Sequence, residues 1–308
     1  MHDEGAQGAT APGEAHMARI LVPLDESELA EEALPWAAAL ARATGSGVHL
    51  IAVWNLDERV WMRAGVDPVE SNARIADALG EYLQRIAGHS ALEGLNVTYE
   101  TRMGNVAEQI ALASTEEDTR VITLTSHGRG GFKRWIQGSV ADELVRTVNI
   151  PVLVVRPGKG PAQFRRMLIT LDGSETSERA LPVARELANA TGAEVHLLRV
   201  VNPVAEVAWT GLGPAPDLGE ITRQLAEAAQ AYLEQVARQG EKWDVMYGRP
   251  LDAILQYAEE HQCDVIAMGT HGRGGITRLA LGSTADAVMR AADRPVLIVP
   301  AREEPRLP

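Results

Sequence analysis

The chain has 308 residues, 45% of them hydrophobic and 23% charged, enough for two globular domains that each bury a core. A net charge of −13 argues against a broad nucleic-acid footprint, and no apolar run approaches the length of a membrane span. A lone Cys263 excludes an intrachain disulfide and fits a reducing, cytoplasmic setting.

Residues 1–16 are polar and rich in Gly and Ala, with neither a basic start nor an apolar core. They read as a disordered tail rather than a secretory signal. Arg19–Leu24 is a strand, followed by a helix from Ser27 to Ala43 with Ser27 as N-cap and Gly45 as stop. Pro35 falls inside that helix and should kink it. Val48–Val53 is the next strand, a long helix lies within Asp67–His89, and Asn96–Thr101 is a third strand. Val106–Ser114 is a helix, Val121–Leu124 a buried strand, Ser139–Val148 a helix and Val152–Val155 a last strand. The Pro- and Gly-rich stretch around residues 158–163 marks a linker between domains 17–157 and 164–301, with a short tail at 302–308. This βαβα alternation with continuous apolar strands indicates an α/β fold built on a mostly parallel sheet.

The second half repeats the first. Leu168–Ser174 answers Ile20–Ser27, Ala180-Leu181-Pro182 answers Ala33-Leu34-Pro35, and Val195–Val200 answers Val48–Val53. Gly248 answers Gly104, and Pro295–Val299 answers Pro151–Val155. The offset between the copies drops by three residues between Val53 and Gly104, where loop variation is expected. The most telling repeat is Thr-Ser-His-Gly-Arg-Gly-Gly…Gly-Ser at 125–139 and Gly-Thr-His-Gly-Arg-Gly-Gly…Gly-Ser at 269–283. Glycines after a strand let a ligand approach the backbone, and free N–H groups at the following helix start favour an anion. Ser283 can cap that helix or donate to a phosphate. A tight strand-to-helix connection explains the same glycines structurally, and duplication copies architecture as well as function.

The pattern Gly-x2-Gly-x9-Gly-Ser, with an Asp after the first strand, resembles the ATP-binding branch of the universal stress protein family. The resemblance covers about residues 17–157 and 164–301. It implies two doubly wound, Rossmann-like domains of the adenine nucleotide alpha hydrolase-like kind, each with a five-stranded sheet. It also implies an internal pseudo-dimer joined through Val152–Val155 and Val296–Val299. Adenine and ribose contacts implied by the resemblance fall on Asp25 and Val53 in the first copy, and on Asp172 and Val200 in the second. A turn or cap role is the alternative for each Asp, and a core role is the alternative or the accompaniment for each Val. Implied phosphate contacts fall on Gly128, Gly138, Ser139 and Val140, and on Gly269, Gly272, Gly282, Ser283 and Thr284. Thr125 stands where the pattern has its first glycine, so the second copy is expected to be the tighter of two ATP sites.

Other signals are weaker. His127 and His271 adjoin Ser126 and Thr270 on one loop, which is poor geometry for a nucleophile and its base. His261 and Cys263 have Glu117 and Thr119 as counterparts, so a metal pair there is not repeated. No P-loop and no complete dinucleotide fingerprint is present. Asp142 and Asp286, three residues into the last helix of each copy, are candidate carboxylates for a slow ATPase or phosphotransferase, or simple helix-start acids. The expected function is cytoplasmic stress response through binding of ATP, with or without Mg2+, rather than catalysis. An interaction module without nucleotide is the third reading. A homo-oligomer or protein partner stays open, and neither nucleic acid nor membrane is expected as a partner.

Overall fold

The computed structural model describes residues 17–55, 68–126, 140–158, 162–203, 218–270 and 281–300. The first half runs β1 (Arg19–Leu24), α1 (Glu28–Glu31), α2 (Leu34–Thr44), β2 (Gly47–Trp54), α3 (Pro68–Ala87) and β3 (Val97–Met103). It continues with α4 (Val106–Glu116), β4 (Thr119–Thr125), α5 (Val140–Thr147) and β5 (Val152–Val155). The second half runs β6 (Arg166–Leu171), α6 (Glu175–Glu178), α7 (Ala180–Thr191), β7 (Glu194–Val201), α8 (Leu218–Val236) and β8 (Lys242–Tyr247). It ends with α9 (Pro250–Glu260), β9 (Val265–Gly269), α10 (Ser283–Ala291) and β10 (Val296–Val299).

All ten strands join one sheet in the order β3-β2-β1-β4-β5-β10-β9-β6-β7-β8. Every pairing is parallel except β5 with β10, where Val154 faces Val296, Leu153 faces Leu297 and Val152 faces Ile298. The two last strands therefore fuse the halves into one sheet, as the resemblance implied. Helices cover both faces, which is why the inner strands are largely apolar, while the edge strands β3 and β8 carry polar and charged residues. Ile20, Val22 and Leu50 pack with Leu34 and Leu40 on one face, and Leu21, Ile51 and Ile122 with Ile110 and Leu144 on the other. Each half changes direction of winding between its first strand and its fourth, β1 beside β4 and β6 beside β9, leaving a crevice at the strands' carboxyl ends.

Two expectations are corrected. The helix expected over Ser27–Ala43 is two helices, α1 and α2, and Pro35 lies in the first turn of α2. There its missing N–H has no partner to lose, so the chain breaks before the proline instead of kinking at it. The second half does the same at α6 and α7, with Pro182 near the start of α7. Gly45 and Gly192 do stop these helices, in the left-handed conformation at φ 65° and 72°. The three-residue difference between halves is a sum of changes of both signs. Three more residues precede α8 than precede α3, four fewer follow it, and α8 and β8 are each one residue shorter than α3 and β3.

At the opposite end of the second half, His196 is buried between β7 and α9. Its Nδ1 lies 3.1 Å from the Tyr257 hydroxyl, which donates to Asp244 at 2.6 Å, and His261 stacks on Tyr257. Burial holds the His196 pKa below 6.5, outweighing the Glu194 carboxylate beside it. The unfolded chain thus takes up a proton that the folded one refuses, and stability falls as pH drops through about 6.5. Urea unfolding at pH 7.5 and 5.5 checks this: His196→Phe should flatten the difference, and an unchanged slope would exclude His196 as its source.

Candidate functional site

The site begins at the turn after the first strand of each half. Asp25 Oδ1 accepts from the Ser27 N–H at 3.1 Å and the Ser27 hydroxyl at 2.5 Å. Asp172 Oδ1 accepts from the Ser174 N–H at 2.9 Å and its hydroxyl at 2.6 Å. Each serine hydroxyl in turn caps its helix, accepting from the N–H of Ala30 or Ser177 at 3.1 Å. The turn role open to the aspartates in the sequence is thus real. Both remain partly exposed at the crevice, and a carboxylate has lone pairs for further donors. The residue between them is Gly173 at φ 82° in the second half but Glu26 at φ 63° in the first, a conformation that disfavours a side chain by about 1–2 kcal/mol.

Val53 and Val200, near the carboxyl ends of β2 and β7, are partly buried against the α4 and α9 face of the core. Gly269 ends β9, and a Cβ built on it would lie 2.8 Å from the Thr176 carbonyl oxygen and 3.3 Å from the Ser177 Cα. The close approach this glycine permits is therefore that of the α6 backbone, so packing alone demands it. Thr125 ends β4 with only 8% of its surface exposed, so the first half leaves room there for a branched side chain.

The Thr270 carbonyl accepts from the Gly282 N–H at 2.5 Å and so draws the start of α10 to the end of β9. Gly282, not Ser283, is the N-cap of α10 and offers no side chain to its first turn. Ser283 occupies the first helical position and is exposed, and Thr284 beside it is partly exposed. The Asp172 turn, the Gly269 strand end and the Gly282–Thr284 helix start thereby meet at one end of the sheet. In the first half Asp25, Val53, Thr125 and Val140 take the corresponding places. Gly128, Gly138, Ser139 and Gly272 lie outside the described residues.

Asp142 and Asp286 are engaged elsewhere. Arg146 donates to Asp142 at 3.1 Å and to Asp286 at 3.3 Å, and Arg290 donates to Asp286 at 2.8 Å and to Asp142 at 3.3 Å. This reciprocal network clasps α5 to α10 across the junction of the two halves. Sequence reasoning also passed over Arg156, which follows β5. It donates to the Ser126 hydroxyl at 3.0 Å and to the Met289 carbonyl, tying the end of β4 to α10 of the other half. Burial lowers its pKa. Its counterpart is Pro300, and that break in the repeat was the signal to follow.

The universal stress protein family model matches the chain twice, over residues 17–156 and 163–300. A universal stress protein of Mycolicibacterium smegmatis is 30% identical over 305 residues, covering 92% of this chain and 97% of that one. One from Mycobacterium tuberculosis is 27% identical over 288 residues, covering 91% and 96%. The crystal structure of a universal stress protein from Archaeoglobus fulgidus shares the fold with a TM-score of 0.64 at 24% identity, covering 92% of this chain and 96% of that one. With a double match along nearly its whole length and relatives that align over more than nine-tenths of both chains, the chain belongs to the universal stress protein family as a tandem of two domains.

Proposed function

We propose that this protein binds an adenine nucleotide, ATP alone or with Mg2+, and acts in cytoplasmic stress response through nucleotide-dependent conformation or partner binding. The observation that carries the reading is the meeting of the Asp172 turn, the β9 end at Gly269 and the uncapped start of α10 at Gly282. A carboxylate suits ribose hydroxyls, and helix N–H groups without a side-chain cap suit a phosphate. The crevice at the carboxyl ends of the strands is where open α/β sheets take their ligands. Asp172, Val200, Gly269, Gly282, Ser283 and Thr284 would form the second site, and Asp25, Val53, Thr125 and Val140 part of the first. Binding is favoured over ATP cleavage by the ion pairs that hold Asp142 and Asp286.

Calorimetric titration of the full chain with ATP tests this. We expect one tighter site, and Asp172→Ala should weaken it about tenfold, the loss of a charged hydrogen bond or two. Absence of any heat or bound mass at millimolar ATP would reject nucleotide binding.

A further inference from the structure

One tie runs from the strand end of the first site to the helix of the second. Arg156 Nη1 donates to the Ser126 hydroxyl at 3.0 Å, and Nη2 donates to the Met289 carbonyl. Ser126 is buried and follows Thr125 at the end of β4. It is the counterpart of Thr270, whose carbonyl holds the start of α10 in the second half. The two are anchored alike, the Ser126 N–H to the Val155 carbonyl at 3.0 Å and the Thr270 N–H to the Val299 carbonyl at 3.1 Å. Met289 lies in the last turn of α10, where helix carbonyls want donors from outside the helix.

Helix α10 is thereby shared between the sites. Its amino end, Gly282–Thr284, belongs to the second, and its carboxyl end is fastened to the strand end of the first. The clasp fixes its direction. Arg290, in the last turn of α10, reaches Asp142 in the first turn of α5, and Arg146, in the last turn of α5, reaches Asp286 in the first turn of α10. Two helices paired in this way lie antiparallel, so the start of α5 at Val140 sits beside the end of α10. The nine residues of α10 span about 13 Å. Anions at its opposite ends stand beyond the Debye length of about 8 Å, so their mutual repulsion is largely screened. The mechanical link outweighs the electrostatic one.

We propose that Arg156 is a positioning residue for the first nucleotide site, acting through Ser126, and that it makes this site bind ATP more tightly when the second site is filled. The proposal rests on the nucleotide-binding reading above. A phosphate held by the N–H groups at the start of α10 fixes that helix, and with it the Met289 carbonyl. Arg156, gripped at Nη2, then holds the Ser126 hydroxyl with Nη1, so the first site is ordered before its ligand arrives. Linkage requires the reverse as well, ATP at the first site tightening the second by the same factor.

Calorimetric titration of the full chain with ATP tests this as a double-mutant cycle. The first-site step is identified by its loss in Asp25→Ala. Asp172→Ala with Val200→Glu closes the second site without touching α10, and native mass spectrometry checks that one ATP remains bound. In that variant the first-site step should weaken about fivefold. In an Arg156→Met background, which keeps the bulk without the donors, the same closure should change it by less than about 1.5-fold. A purely structural arginine would alter stability and leave the fivefold coupling in place. Ser126→Ala, which spares the bond to Met289, should abolish the coupling too, and it serves if melting curves show that Arg156→Met does not fold. A first-site step indifferent to closure of the second site, a coupling that survives the loss of the tie, or a wild-type chain that binds one ATP only would overturn the proposal and leave nucleotide binding intact. A wild-type chain that binds no ATP rejects the underlying reading as well.

Discussion

Replacing Gly269 by valine is expected to destabilise the second domain by about 3 kcal/mol, the upper range for forcing atoms into a filled space. The new Cβ would meet the Thr176 carbonyl oxygen at 2.8 Å, and that atom belongs to a helix backbone that cannot swing aside as a side chain can. The Asp172–Ser174 cap would have to shift with it, since Ser174 holds the first turn of α6. Urea unfolding, followed for each domain separately because a tandem chain need not unfold in one step, should show one transition at lower denaturant. ATP affinity at the second site should fall in the same variant. Thr125→Gly is the mirror experiment. It removes a nearly buried side chain from a place that already admits one, so it should loosen the first domain without relieving any clash. A Gly269→Val protein as stable as wild type would remove the packing argument and leave the glycine to be explained by a ligand.

Loss of the ion-pair clasp is the second large effect. Asp142 is 4% exposed and accepts from both Arg146 and Arg290. Asp142→Ala should lower stability by about 2–3 kcal/mol, less than for fully buried pairs because both arginines keep about a quarter of their surface in water. The damage should fall on the junction of the domains, so the two unfolding transitions should separate. Converting the whole cluster, Asp142→Leu and Asp286→Leu together with Arg146→Met and Arg290→Met, should recover much of the loss, since an uncompensated charge is worse than none. The same variants separate the binding reading from the enzymatic one. A carboxylate of an ATPase, once removed, would abolish Mg-ATP turnover with stability unchanged, whereas a clasp residue moves stability first.

Much of this architecture is legible in the residues because it rests on local chemistry. Alternating apolar runs and helical patterns mark the strands and helices, Ser27 and Ser174 cap where they were expected to, and Gly45 and Gly192 stop their helices. The halves announce their kinship in the repeated Asp-x-Ser turn, the glycine loop and the Pro-Val-Leu-Val-Val ending. The prolines misled because their meaning depends on position in a helix: Pro35 inside a helix would kink it, but Pro35 in a first turn starts one. Gly269 read as room for a ligand because a sequence does not tell which neighbour fills the space above a glycine. Asp142 and Asp286 read as helix-start acids or catalytic carboxylates because their partners, Arg146 and Arg290, pair across two helices far apart in the chain.

The line between the two kinds of knowledge follows the range of the forces. The repeat, the places of strands and helices, and the capping follow from contacts between near neighbours and from the period of apolar residues, so they are written along the chain. Three features depend on which side chains long loops and an antiparallel strand pair bring within a few ångströms. They are the carbonyl of Thr176 above Gly269, the arginine–aspartate clasp across the β5–β10 junction, and the Arg156 tie between Ser126 and Met289. Such contacts have no local signature, and only the folded arrangement reveals them.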